Sequence, residues 1–304
     1  VKNRSQASLW VAGARPRTLP LSVVPVAVGT AVAAEYAPSG TGWYGEISWW
    51  RVVLALVVGL ALQIGVNYAN DYSDGIRGAD ADRVGPLRLT ASGVVPAKQV
   101  KYAAFGCFAL AALCGLGLAV STSYWLVLVG AVAIVGAWFY TGGSSPYGYR
   151  GLGDVSVFVF FGLVAVIGTA YVAGSHPRLS WLALWTAIPV GLLAVAVLVA
   201  NNLRDLPKDA LVGKRTSAVR LGDRGTRIMY ALCVGLAIVV GALVVPVICL
   251  PLIAIAAIVG FFPVRTVLRG AKGMDLISVL VATGQLQIVY GAALVIGLLV
   301  GADW

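Results

Sequence analysis

The sequence predicts an all-α integral membrane protein with nine transmembrane helices, its N-terminus cytoplasmic and its C-terminus outside. Three observations predict it. Of the 304 residues, 60% are apolar and only 11% are charged, with a mean hydropathy of +0.90. A soluble domain carries roughly 25% charged residues, and a disordered chain combines low hydrophobicity with high charge, so both classes are excluded. Nine apolar runs approach the ~20 residues that a helix needs to cross a bilayer. Finally, the basic residues segregate to one side of a nine-span path, as the positive-inside bias demands. The net charge of +10 and pI of 9.7 therefore report topology, and no nucleic-acid partner is expected.

The runs follow in order. The first, 19–34, opens with Pro20, at a helix start where the missing N–H does no harm. Basic residues ahead of Ala31-Val32-Ala33 give it the look of a cleavable signal peptide. Pro20 and Pro25 interrupt its apolar region, and removing it would break the charge partition. It is read as a span. Runs 52–67 and 102–120 flank the first long loop. Runs 124–140 and 155–172 are joined by a short connection rich in Gly, Ser and Tyr, and 181–200 leads into the second long loop. Runs 228–245, 248–262 and 276–300 complete the set, with Pro246 and Pro251 marking the start of the eighth. With the N-terminus inside, every Lys and Arg except Arg51 and Arg178 is cytoplasmic. Cys107, Cys114, Cys233 and Cys249 fall inside apolar runs without metal-site spacing and are read as small apolar residues.

The acidic residues concentrate where the basic ones do. Asp71, Asp74, Asp80 and Asp82 follow the second run; Asp205, Asp209 and Asp223 follow the sixth. A positive-inside tether does not call for aspartates. At an offset of 131, Asn70 and Asp74 superpose on Asn201 and Asp205; at 132, Arg88-Leu89 superposes on Arg220-Leu221. The loops read as diverged copies of one element in a single domain spanning 1–304, with motifs at 67–83 and 201–214. If the second run continues as a helix, Gln63, Asn67, Asn70, Asp71 and Asp74 form one stripe. Asn201, Asp205 and Asp209 form another, unless Pro207 breaks the turn. Converging carboxylates call for a hard cation, and Mg²⁺ is held by a couple of carboxylates, waters and substrate phosphate oxygens. Arg83, Arg88, Lys214 and Arg220 would complete a site for a diphosphate.

These residues make the chain recognisable. It resembles the UbiA-type intramembrane aromatic prenyltransferases over nearly its whole length, and within them the branch acting on 1,4-dihydroxy-2-naphthoate in menaquinone synthesis. The resemblance rests on Ala14-Arg15-Pro16-Arg17-Thr18-Leu19-Pro20, on Asn67 to Asp74, and on Gly85-Pro86-Leu87-Arg88-Leu89-Thr90. Further matches are Tyr140-Thr141-Gly142-Gly143, Pro146-Tyr147-Gly148-Tyr149, Asn201 to Asp209, and Gly213-Lys214. It implies a nine-helix bundle around a central cavity open sideways to lipid, in the cytoplasmic membrane, with the active site facing the cytoplasm. It implies Mg²⁺ on both Asp motifs and a polyprenyl diphosphate with dihydroxynaphthoate as substrates. By position, Asp74 with Asn70, and Asp205 and Asp209 with Asn201, are the expected ligands, with Asp71 beside them. Two departures stand out. The further Asp often found four residues after Asp74 is Gly78 here, with Asp80 or Asp82 as substitutes; the Lys common after the Tyr of the fourth span is replaced by Ser144 and Ser145, with Arg150 nearby.

The expected chemistry is departure of the allylic diphosphate under electrostatic neutralisation, with water kept from the allylic cation. Asn67, Asn70, Tyr72 and Asn201 are expected at the substrates, the rings of Tyr72 and Tyr140 facing the cation. The naphthoate ring then attacks through carbon and loses its carboxylate, with Asp80 as the expected acceptor of a phenolic proton. On superfamily grounds the acceptor could instead be 4-hydroxybenzoate. The one histidine, His176, sits in an outer loop, so no Ser-His-Asp arrangement is available, and a Walker-type run is missing. A secondary transporter would carry polar groups near the bilayer midplane. Here the acids gather at span ends, which favours the enzyme.

Overall fold

The computed structural model describes residues 5–35, 43–78 and 87–302. Among these the chain is helical throughout, and Ile47 with Gly174 forms an isolated bridge. The helices are α1 (Gln6–Ala14), α2 (Pro20–Ala34), α3 (Trp49–Ile76), α4 (Ala97–Ser121) and α5 (Trp125–Phe139). They continue with α6 (Gly153–Val157), α7 (Ala165–Ala173), α8 (Trp181–Leu211), α9 (Ser217–Val244), α10 (Leu250–Leu268) and α11 (Asp275–Ala302). Each apolar run lies on a helical segment. Seven segments are long and apolar enough to cross a membrane, and the bent pair α1–α2 raises this to eight. Helix α5, with 15 residues, is shorter than that test requires.

Helix α9 is kinked at Gly222, whose φ is 69°, and two segments that line the cavity also differ from plain helices. The stretch ending at Thr18 meets α2 at 51°. Arg15 takes a left-handed φ of 55° there, and Pro16, which has no N–H, opens the turn Pro16–Thr18. The segment between α6 and α7, Phe158–Val164, is a π-helix. Its wider turn keeps Val157, Phe160, Phe161, Val164 and Ala165 on one inward face.

Helix α3 lies against α4, α8 against α9, α2 against α7, and α11 against both α2 and α10. Small residues permit the closest approaches. A Cβ on Gly162 would stand 2.7 Å from the Cα of Gly191 on α8, and one on Gly29 of α2 would stand 2.5 Å from the carbonyl oxygen of Val166. Exposed Trp49, Trp50, Tyr124, Trp125, Trp181 and Trp185 gather near the starts of α3, α5 and α8. All lie at the end opposite the Asp motifs, as an interfacial aromatic girdle would. Arg51, one of the two basic residues assigned to that end, donates to the carbonyls of Ser121 (2.9 Å) and Gly174 (3.4 Å). It thereby caps the C-terminal ends of α4 and α7.

The bundle encloses a cavity of about 1000 Å³ lined from α2, α3, α4, α5, the π segment, α7, α8 and α11. Along α3 it runs from Asp74 to Ala55, roughly 28 Å at the helical rise.

Candidate active site

The first wall is the C-terminal third of α3. A residue advances about 100° around a helix, so Gln63, Asn67, Asn70 and Asp74 fall within an arc of roughly 60°. All four line the cavity. Asn67 Nδ2 donates to the carbonyl of Ala14 (2.9 Å) and to Thr18 Oγ1 (3.1 Å), and Gln63 Nε2 donates to Thr18 Oγ1 (2.9 Å). These bonds pin the Arg15–Thr18 turn against α3 and bring Arg15 and Arg17 onto the cavity wall. Asn70 Oδ1 accepts from Thr141 Oγ1 at 2.7 Å.

The second wall is the end of α8. The helix continues through Pro207 to Leu211, so Asn201, Asp205 and Asp209 share its cavity face. Arg204 holds Asp205 through both carboxylate oxygens (2.7 and 2.8 Å) and donates to Asn201 Oδ1 (2.7 Å). Gly213, with φ +77°, then turns the chain back. Lys214 Nζ reaches 3.3 Å from Asp74 Oδ1 and 3.9 Å from Asp209 Oδ1, bridging the walls. Arg88 Nη2 lies 4.0 Å from Asp74 Oδ2.

The third contributor went unassigned in the sequence. Tyr149, in the turn Tyr147–Arg150, donates its hydroxyl to Asp74 Oδ1. Its ring lies under Lys214 (Nζ 4.5 Å from the centroid) and Arg77 (5.6 Å). Burial, and after it the charge of Asp74, push this phenol above its ordinary range, so it stays a donor. Arg77 fixes the loop by donating to the carbonyls of Thr141 (2.5 Å) and Gly143. From this loop it is Tyr149 that reaches Asp74. Arg150 bonds Ser145 instead.

Beyond this polar mouth the lining becomes hydrocarbon: Leu118, Leu126, Val129, Phe160, Phe161 and Val172. Tyr140 also lines the cavity, its ring edge-on to Tyr147 with centroids 5.6 Å apart. Gly115, Gly130 and Gly168 also line the chamber, and a Cβ on any of them would meet no atom within 4 Å.

Several expectations need correction. Asp71 is 1% exposed, but both its oxygens are taken by the amides of Leu89 (2.7 Å) and Thr90 (2.8 Å). It holds the segment after α3 and does not line the cavity, because it lies at the edge of the stripe's arc. Tyr72 lies on the far side of α3, stacked on Trp138 (centroids 6.3 Å) with Lys101 over its ring (5.7 Å), so it cannot face a cation in the cavity. Arg220 is exposed and donates to the carbonyl of Arg150 (2.5 Å). Arg88, by contrast, is buried and lines the cavity, so the two arginines have different surroundings. Gly78 sits past the end of α3 with φ +69°, so an Asp there would not extend the helical stripe. Asp80, Asp82 and Arg83 lie outside the described residues.

Besides Tyr149, Lys208 was missed. It lines the cavity beside Asp209 with a buried amine. Its placement on the same face as Asn201, seven residues earlier, was readable in the sequence once the helix was known to pass Pro207.

The fold and site define an intramembrane prenyltransferase: a model of the UbiA prenyltransferase family matches residues 22–277, and the chain belongs to that family. Among its relatives, the 1,4-dihydroxy-2-naphthoate octaprenyltransferase of Mycobacterium tuberculosis is 49% identical over 295 residues, covering 93% of this chain and 94% of the relative. The protein of that name from Escherichia coli is 40% identical over 234 residues, covering 75% and 73%. The fold is that of solved UbiA homologs. The apo structure from Aeropyrum pernix matches with a TM-score of 0.70 at 16% identity, over 91% of this chain and 97% of that one. The homolog from Archaeoglobus fulgidus bound to DMAPP and Mg²⁺ matches at 0.65 and 16%, over 94% and 98%.

Proposed function

We propose that the protein transfers a polyprenyl group from a polyprenyl diphosphate to 1,4-dihydroxy-2-naphthoate, with loss of the ring carboxylate, giving demethylmenaquinol in menaquinone biosynthesis. The carrying observation is one cavity that joins two carboxylate-and-amide walls to a hydrocarbon chamber. The names of relatives 40–49% identical support the acceptor.

We assign Asp74 with Asn70, and Asp205 and Asp209 with Asn201, to Mg²⁺. No three Asp, Glu, His or Cys side chains form a closed metal site among the described residues. One or two carboxylates on each wall instead suit an ion whose shell is completed by phosphate oxygens and water. Bound there, Mg²⁺ supplies neutralisation of the leaving group. Lys214 and Arg88 hold diphosphate oxygens, and the apolar lining keeps water from the allylic carbon. The C–O bond breaks with its electron pair going to the diphosphate, and the Tyr140 ring faces the resulting cation. The naphthoate ring carbon forms the new C–C bond. The carboxylate leaves as CO₂, and its bonding pair restores the aromatic ring.

The same reading places the chain in the cytoplasmic membrane with nine spans, counting α1–α2 as one and α5 as another. The N-terminus and the polar mouth then face the cytoplasm. The one-sided Lys and Arg and the girdle at the far end support this. We also read the chain as one domain of two related halves, since both motifs close a helix before a left-handed glycine, Gly78 and Gly213.

The test is an assay of purified protein with Mg²⁺, a long-chain prenyl diphosphate and carboxyl-labelled dihydroxynaphthoate. Labelled CO₂ released together with a prenylated product is the expected result. Prenylation of 4-hydroxybenzoate with its carboxylate retained, and none of the naphthoate, would refute the acceptor.

A further inference from the structure

The cations at the cavity mouth are not equivalent. Arg204 is engaged by Asp205 and Asn201, and Lys214 by Asp74 and Asp209. Each is therefore largely neutralised before any substrate arrives. Lys208 is different: its Nζ is buried and makes no hydrogen bond among the described residues. It nevertheless lines the cavity one turn beyond Arg204. An amine so placed, with no hydrogen-bond acceptor among the described residues, can take an oxyanion that enters the cavity.

The helix fixes where that anion would sit. Seven residues on from Asn201, Lys208 returns to within about 20° of it around the axis, so both face the same space. Asp205 and Asp209 flank that direction on one side, about 40° and 80° from Asn201. An oxyanion held against the end of α8 would therefore lie alongside the amine. We propose that Lys208 binds the diphosphate, its ammonium taking a non-bridging oxygen of the prenyl diphosphate and then of the released pyrophosphate. This rests on the prenyl-transfer reading above. It adds a positive charge that makes no ion pair among the described residues, at the group that gains negative charge as the allylic C–O bond breaks.

The test uses the full chain with Lys208→Met, which keeps the stem and removes the charge, and Lys208→Arg, which restores a cation. Steady-state kinetics with each substrate varied in turn is one readout. The other is the rise in Tm caused by inorganic pyrophosphate with Mg²⁺. In Lys208→Met, KM for prenyl diphosphate should rise roughly 10- to 100-fold, the value of one charge-assisted hydrogen bond. KM for the naphthoate should stay unchanged, the pyrophosphate-induced rise in Tm should shrink, and Lys208→Arg should recover most of both losses. If Lys208→Met does not fold, Lys208→Gln replaces it. A change confined to KM for the naphthoate would put the acceptor's carboxylate on Lys208 and overturn the proposal, as would wild-type values in both readouts. If the wild type transfers no prenyl group yet pyrophosphate still stabilises it through Lys208, the reaction reading fails while the anion site stands.

Discussion

Lys214 and Asp74 meet across the cavity mouth, Nζ 3.3 Å from Oδ1, although 140 positions separate them in the chain. Both are largely buried, at 12% and 7% side-chain exposure. The contact joins the two Asp-bearing helices, α3 and α8, into one site.

Asp74→Asn removes the carboxylate and leaves Lys214 with a weakened partner. Prenyl transfer should fall by about 10²–10³ or more, the scale for losing one preorganised electrostatic group. Breaking a buried pair from one side also destabilises, by roughly 3–5 kcal/mol at most. Combining Asp74→Asn with Lys214→Met should recover stability but not activity. Thermal unfolding and turnover, measured on all three variants, separate the two effects.

Tyr149→Phe keeps the ring beneath Lys214 and removes only the hydroxyl that bonds Asp74. One neutral-to-charged hydrogen bond is worth about 1.5–3 kcal/mol, so a loss of roughly 10- to 100-fold in kcat/KM is expected. Tyr149→Ala should lose more, because the contacts of Lys214 and Arg77 with the ring go as well. Equal activity in both variants would show that the hydroxyl alone matters.

Asp71→Asn tests a structural role against a ligand role. It weakens two hydrogen bonds from backbone amides and should lower stability by about 1–3 kcal/mol. The Mg²⁺ concentration giving half-maximal activity should not move. A large increase in that concentration, without loss of Tm, would return Asp71 to the metal.

Gly130→Leu and Gly168→Val fill empty space in the chamber without touching the mouth. Long prenyl diphosphates should lose activity while short ones retain it, read as product chain length in a mixed-donor competition. A uniform loss across all chain lengths would mean that the prenyl tail lies elsewhere.

Reporter tags inserted at Gly213 and at His176 test the topology. The first should be accessible from the cytoplasm and the second from outside. The opposite result would invert the assignment of the mouth.

Much of this was legible in the sequence because a bilayer imposes simple rules. Spans must be long and apolar, and basic residues bias the loops to one side. The helical repeat placed Asn67, Asn70 and Asp74 on one face, and Asn201, Asp205 and Asp209 on another, before any fold was known. The same repeat, applied strictly, would have put Tyr72 on the opposite face.

Tertiary structure decided everything that depends on which elements meet. Whether a carboxylate serves the cavity or a loop turns on distant backbone: Asp71 spends its oxygens on Leu89 and Thr90, while Asp74, one turn on, faces Lys214. Tyr149 entered the site because Arg77 anchors its loop to α3, and Arg220 left it for the carbonyl of Arg150. Local spacing fixes the face of a helix on which a side chain lies. What faces it is set by packing between segments far apart in the chain, and that alone separates a ligand from a cap.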